Sequence, residues 1–313
     1  MVLCALALMA ATVMALSMGV KPLATDGTGI FFSLKGSLIE PGPLSAVINV
    51  AGLLTIGAVM LALNKVFSYV RAVTHLFVSA FFLLQLANPS SLVSFNAGTL
   101  LGLVTSIAIM PLFASYQDRH SQRSIFLIFA LIATGSMFHY GFLALIPAFL
   151  LGFFNMGVLN LKGLLAMIFG LITPFWIVMG MGIATPADFV MPHINGIWNL
   201  TAQSSVEMML VLSASTALLG ITLAAMNIAT IMNYRMQTRV YNAFFVFALV
   251  IIVIALCIDY GNVTVYLPLL SLMAAIQMAH SHTLHTTLAR RYVFILLFIA
   301  GCIAFCCVNL MMS

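Results

Sequence analysis

The densest run of chemically capable side chains lies between two long apolar stretches: Asp188, His193, Asn195, Trp198, Asn199 and Gln203, followed by Glu207. A histidine titrates near neutrality and a nearby carboxylate tunes it, so Asp188, His193 and Glu207 have the chemistry to hold a cation or to act as acid and base. Trp198 has an apolar body and a polar edge, which suits an interfacial anchor bordering whatever binds there. These four residues are the sequence's candidate substrate-binding set. The competing reading is a solvated connection, since loops collect polar residues for reasons unrelated to function.

A second cluster, His280-Ser281-His282-Thr283-Leu284-His285, has the ligand type for a metal but poor spacing. On a helix His282 and His285 share a face while His280 points elsewhere, and no Cys, Asp or Glu stands beside them. Beside Arg290 and Arg291 they read instead as a wet helix end near anionic headgroups. His75 falls inside an apolar run, where a polar group turns toward protein or a water cavity. Cys4, Cys257, Cys302, Cys306 and Cys307 lie in or beside apolar runs without metal-ligand spacing and read as small buried side chains. No metal and no cofactor is expected. The chain also lacks HExxH, a P-loop, a GxSxG nucleophile turn and the paired acidic motifs that hold Mg²⁺, so nothing supports an enzyme.

The elements that must position these residues follow from composition. Of 313 residues, 64% are apolar and 5% are Asp, Glu, Lys or Arg, too few charges to coat a globule in water. The surface must therefore face lipid, and backbone groups in lipid are satisfied within helices. Apolar runs near 2–20, 43–64, 72–88, 96–115, 124–138, 141–157, 163–183, 205–232, 240–258, 264–281 and 291–311 predict about eleven transmembrane helices in an all-α polytopic bundle, one domain over 1–313. The first run lacks the basic start and cleavage site of a secretory signal and is read as a helix. The pair meeting at His139-Tyr140-Gly141 reads as a tight hairpin or one broken element.

Charge tests the segmentation. Lys65, Arg71, Arg119, Arg123, Lys162, Arg235, Arg239, Arg290 and Arg291 fall in alternate connections, whereas Asp26, Glu40, Asp188 and Asp259 fall in the others; Lys21 and Lys35 break the pattern. By the positive-inside rule the amino terminus is cytoplasmic and the carboxyl terminus outside. The net charge of +5 reads as this topology signal, and no nucleic-acid partner is expected. Arg71, Arg123, Arg239 and Arg291 carry a second regularity. Each pair, Arg71 with Arg123 and Arg239 with Arg291, is separated by 52 positions and brackets two apolar spans. This suggests a parallel internal repeat with halves 43–138 and 205–311; the positive-inside rule alone would also place arginines there. The same arginines meet lipid headgroups.

The two longest connections, 21–42 and 184–204, are too short for domains but long enough to cap a cavity. The first, with Ser33, Lys35 and Ser37 interrupting apolar residues, suits a segment lying in the interface at an entrance. Polar groups within spans are mild, including Asn49, Gln85, Asn227 and Gln277, with no carboxylate near the middle, which argues against a proton-driven pump. Gly98-Thr-Leu-Leu-Gly102 predicts close helix packing, Pro111, Pro147, Pro174 and Pro268 predict kinks, and the 21 methionines supply adaptable packing.

Asn64-Lys65 through Arg71, Asn88-Pro89, Arg123-Ser-Ile-Phe126, Gly135-Ser-Met-Phe-His-Tyr140 and Gly170-Leu-Ile-Thr-Pro-Phe-Trp176 resemble segments of uncharacterised polytopic inner-membrane proteins of Bacteroidota, over roughly residues 64–176. The resemblance implies a bacterial inner membrane, with the amino terminus cytoplasmic and the carboxyl terminus periplasmic, and implies no activity. Three functional readings follow. A transporter or flippase of a lipid-like or amphiphilic molecule predicts a cavity between the repeat halves. A non-catalytic scaffold subunit of an envelope complex predicts a protein partner in the membrane and a flat helical face. A membrane enzyme would work from loop 184–207.

Overall fold

The apolar runs become helices wherever capping and proline let them start and stop. The computed structural model describes residues 1–21, 28–32, 42–70, 75–118, 120–192, 194, 196–197 and 204–284. Its α-helices are α1 (Val2–Ser17), α2 (Pro43–Phe67), α3 (Leu76–Leu86), α4 (Pro89–Leu92), α5 (Ala97–Ala114), α6 (Gln122–Phe138), α7 (Leu145–Asn155), α8 (Leu161–Gly180), α9 (Ser204–Ile231), α10 (Met236–Ile258) and α11 (Val263–Leu284). Ten of the eleven expected spans thus have a helix in place. The eleventh, 291–311, lies outside the described residues, as do Lys35, Arg71, Arg119, His193, Trp198, His285, Arg290, Arg291 and the side chain of Glu207.

Local chemistry sets the ends. Asn96 and Asn160 cap α5 and α8, accepting the backbone N–H of Thr99 (3.0 Å) and Gly163 (2.7 Å). At the end of α2, the backbone carbonyl of Asn64 accepts from Ser68 N–H (2.8 Å) and its Oδ1 from Val70 N–H (2.9 Å), with Ser68 left-handed at φ 49°. Pro89 ends α3 early and restarts the chain as α4. The helix begins after His75, so that residue is exposed at a terminus rather than held within a span.

Among the described residues, six helices are long and apolar enough to cross a bilayer: α2, α5, α8, α9, α10 and α11. The others fall below that length; α1 and α7 are also shorter than the sequence suggested, whereas α6 starts two residues earlier than expected. α1 has 16 residues and α6 has 17, about 24–26 Å against a core of about 30 Å. The uncertain pair is a hairpin: α6 ends at Phe138, His139 is extended, and a 3-10 turn over Tyr140–Ala144 leads into α7.

Lipid gives apolar faces no reason to associate, so close approach and complementary packing hold the bundle together. α11 is its axis, wholly buried among α3, α5, α9 and α10, while α8 packs chiefly on α6 and presents most of its surface outward. The GxxxG pair serves two partners. A Cβ on Gly98 would stand 2.5 Å from the Thr264 carbonyl of α11, and one on Gly102 2.9 Å from Ile56 of α2.

The two ends of the bundle differ in sign. Lys65 closes α2, and Arg123, Lys162, Arg235 and Arg239 stand at the starts of α6, α8 and α10. Ring contacts Phe67–Phe113 (5.7 Å) and Phe67–Tyr241 (6.0 Å) join those ends. Asp118 sits there too, against the sign pattern, its carboxylate accepting His120 N–H (2.9 Å). Asp188 and Asp259 lie at the opposite, acidic end.

Candidate functional site

A site forms at the acidic end where four chain segments meet. Gly135 N-terminal to the turn lets Phe142 pack against α6, and His139 caps the start of the 3-10 turn, its Nδ1 accepting Gly141 N–H (2.9 Å). A Cβ on Gly141 would stand 3.0 Å from this nitrogen and 3.1 Å from Val265, so a side chain there would have to push its neighbours aside. Across from it, α10 ends at Ile258 and Asp259 begins the turn into α11. Asn262 Nδ2 donates to both Asp259 carboxylate oxygens (3.1 and 3.0 Å), and Tyr266 OH donates to Oδ2 (3.3 Å). These bonds satisfy a carboxylate that is nearly buried.

The two long connections close over this junction. Ile30 and Phe32 N–H donate to the carbonyls of Ser136 (3.1 Å) and Met137 (3.2 Å), and Tyr140 N–H donates to Thr28 (3.2 Å). Gly29 runs so close to Met137 that a side chain would collide with its carbonyl. Val190 N–H donates to Ile30 (3.1 Å), and Tyr140 OH donates to the Val190 carbonyl. Phe32 stacks on Phe138 (5.4 Å) and Phe31 meets Phe175 edge-on (5.8 Å).

Beneath this cover is a cavity of about 300 Å³, at the small end of ligand-site volumes. Its floor is His139, Asp259, Asn262 and Tyr266; its walls are Leu143, Ala144 and Pro147 on one side and Ile251, Ile254, Ala255 and Ile258 of α10 on the other. Thr28, Tyr140, Pro192 and Ile194 complete the lining. The mouth is apolar and outward-facing: Ile254 is 52% exposed and Ile258 43%. His139 and Asn262 are buried, with His139 Nε2 and Asn262 Oδ1 shut away from the cavity and the Asn262 side chain acting on the imidazole as a hydrogen-bond partner. His139 lies between helices, where burial pushes its imidazole down from 6.5 to about 4, partly opposed by Asn262.

The sequence candidates are distributed differently. Asp188 is exposed and outside the cavity: its Oδ2 accepts the backbone N–H (2.7 Å) and hydroxyl (2.8 Å) of Thr185, closing a single 3-10 turn. Those two bonds hold its carboxyl below the usual range. Pro192 and Ile194, flanking His193, do reach the cavity. Arg123 is exposed and Arg239 half-buried at the basic end. His280 departs from expectation, being buried within α11 rather than at a wet end. Near it Asn227 donates to Gln277 Oε1 (3.3 Å) and Gln277 to Asn242 (3.1 Å), while His280 Nε2 and Ser281 Oγ find no partner. Among the described residues no three metal-binding side chains cluster.

Asp259, Asn262, Tyr266 and His139 were not legible as a site because each marks a span boundary when read alone. Their signal was present as two polar turns, Gly135–Tyr140 and Asp259–Asn262, at one end of the bundle. The cavity lies between the connecting segment after residue 138 and the second proposed half, rather than between the two halves.

Among the described residues, six long apolar helices, an all-helical fold and an amphipathic cavity describe a helical membrane protein with a concave site at its acidic end. The chain belongs to the family described as a family of unknown function, DUF6427, whose model matches residues 36–313. No curated protein and no solved structure matches it.

Proposed function

We propose that this protein binds an amphiphilic, lipid-like molecule in the cavity between α7 and α10 and moves it between leaflets as a transporter or flippase. The observation that carries the reading is the polarity gradient of the cavity: exposed isoleucines at the mouth and four hydrogen-bonding side chains at the floor. An amphiphile entering from the bilayer keeps its chains against Ile254 and Ile258 while its polar end reaches the floor. The loops bearing Thr28 and Pro192 cover that end from water. The proposed setting is a bacterial inner membrane with the cavity on the periplasmic side and the amino terminus in the cytoplasm, an orientation that the basic connections support.

Packing lends support to the parallel repeat. The first helix of each proposed half lies against the third, α2 on α5 and α9 on α11, and α5 and α11 pack together near the middle. Glycines permit both contacts: a Cβ on Gly52 would meet Thr99 at 2.8 Å, and one on Gly220 would meet Ala274 at 3.3 Å.

The test is reconstitution of the full chain in vesicles with fluorescent lipids in both leaflets, followed by chemical quenching from outside. Accelerated exchange that Ile254→Trp suppresses is the expected result. Exchange equal to protein-free vesicles, with a stoichiometric protein partner recovered from native membranes, would replace transport by the scaffold reading.

A further inference from the structure

Away from the cavity, α6 and α8 form a pair with a furrow on its outward side. A Cβ on Gly163 of α8 would meet Ile125 of α6 at 2.9 Å, and one on Gly170 would meet the Phe126 carbonyl at 2.6 Å and Phe129 at 3.1 Å. The contact climbs both helices in the same order, so the two run parallel from the basic end. Two lines of residues flank the seam: Arg123, Leu127, Ala130 and Thr134 on α6, and Lys162, Ala166, Phe169 and Thr173 on α8. Both have the spacing i, i+4, i+7, i+11 of a single helix face. Each line stands about 80° round its helix from the seam, in opposite rotational senses, which in parallel helices puts both on one side of the pair. Arg123, Leu127, Thr134, Lys162 and Phe169 are exposed there, and the small, half-buried Ala130 and Ala166 leave the furrow between them.

Beneath its base each line is apolar toward lipid. The threonine hydroxyls are spent on their own helices, Thr134 donating to the Ala130 carbonyl (2.8 Å) and Thr173 to that of Phe169 (2.6 Å). Base to threonine is a rise of about 16 Å, half of a hydrocarbon core of about 30 Å. The furrow thus has the depth of one leaflet, with two cations at its headgroup end and no other Asp, Glu, Lys or Arg on either helix. Asp118, in the connection ahead of α6, is turned to the backbone N–H of His120 (2.9 Å). We propose that this furrow seats one anionic phospholipid of the leaflet at the basic end, its phosphate between the Arg123 guanidinium and the Lys162 ammonium and an acyl chain along Ala130 and Ala166. Packed helices lie about 8–10 Å apart, a gap that two long basic side chains close around one phosphate. Charge selects the occupant: a net negative head meets two cations, whereas a zwitterionic head brings its own ammonium against them.

The experiment is native mass spectrometry of the full-length protein released from micelles holding equal amounts of phosphatidylglycerol and phosphatidylcholine with the same chains. One retained phosphatidylglycerol per protein, preferred roughly tenfold over phosphatidylcholine, is the expected result. Arg123→Gln combined with Lys162→Gln should bring that preference to near unity, and Lys162→Gln alone, on the most outward of the long helices, should cut it roughly threefold. The control is Lys65→Gln combined with Arg235→Gln, which removes two exposed bases from the same end of the bundle and should leave the preference as in wild type. Absence of a preference in wild type overturns the inference. So does an equal loss in the two double variants, since the effect would then belong to the general field of the basic end and not to this furrow.

Discussion

At the basic end, Phe113 stacks on Tyr241 at 4.1 Å and meets Phe67, Tyr69, Phe244 and Phe245 edge-on or tilted, and the polar atoms among these rings are satisfied. Tyr241 OH accepts from Gln237 (2.7 Å) and donates to the Phe113 carbonyl (3.2 Å), and Tyr69 OH donates to Met60 (3.0 Å). At the acidic end the rings give way to a cavity, on whose floor Asp259 is held by Asn262 and Tyr266. Both ends join helix termini, so helix geometry alone does not explain the difference. A junction filled with rings serves packing; one that keeps an open cavity lined by hydrogen-bonding side chains has room for a ligand.

The comparison would break first on stability. Phe113→Ala removes a fully buried ring with five aromatic neighbours and should cost about 3–5 kcal/mol, read as a lower melting temperature in nanodiscs. Amphiphile affinity of the fraction that remains folded should be unchanged. Loss of affinity at constant stability would show that the two ends are coupled.

Acid should act at the other end. The folded-state value for His139 is pushed from 6.5 to about 4 by burial, so the native protein takes up this proton less readily than the unfolded chain. Its contribution is fully present above about pH 6.5 and is lost as pH falls through about 4, up to roughly 3 kcal/mol. Melting curves from pH 7 to 4 should therefore fall more steeply for wild type than for His139→Gln. Parallel curves would mean that His139 is solvated, and the contrast between the ends would lose its main polar element.

Much of the bundle could be read in advance because lipid imposes long apolar runs and because alternating charge marks their ends. The helices at 43–67, 97–114 and 236–258 begin or stop within about four residues of where the sequence placed them. Span length was harder: α3 stops at Leu86 because Pro89 intervenes, and neither that helix nor α6 reaches across the core alone. The site was harder still. Asp259 looks like a solvated loop residue in the chain, and only packing of α11 against α10 buries it beneath Tyr266 and Asn262.

Filling the mouth sharpens the same contrast with a smaller effect. Ile254 is 52% exposed, so Ile254→Trp meets little steric resistance from the core but narrows the entrance. Roughly tenfold weaker amphiphile binding, about 1.4 kcal/mol, is expected with the melting temperature unchanged. Unaltered binding would place the entry elsewhere on the cavity.

The smallest effect belongs to the residue whose chemistry was most visible in the sequence. Asp188 spends its carboxylate on Thr185, through the backbone N–H and the hydroxyl, and stands exposed outside the cavity. Asp188→Ala removes a cap from a single 3-10 turn, so local amide exchange around Thr185 to Phe189 should quicken while amphiphile binding and lipid exchange stay at wild-type values. The loop's contribution to the cavity comes through Pro192 and Ile194, beyond that turn. A large loss of binding in Asp188→Ala with the cavity residues intact would shift the chemistry from the buried turn at Asp259 to the loop surface.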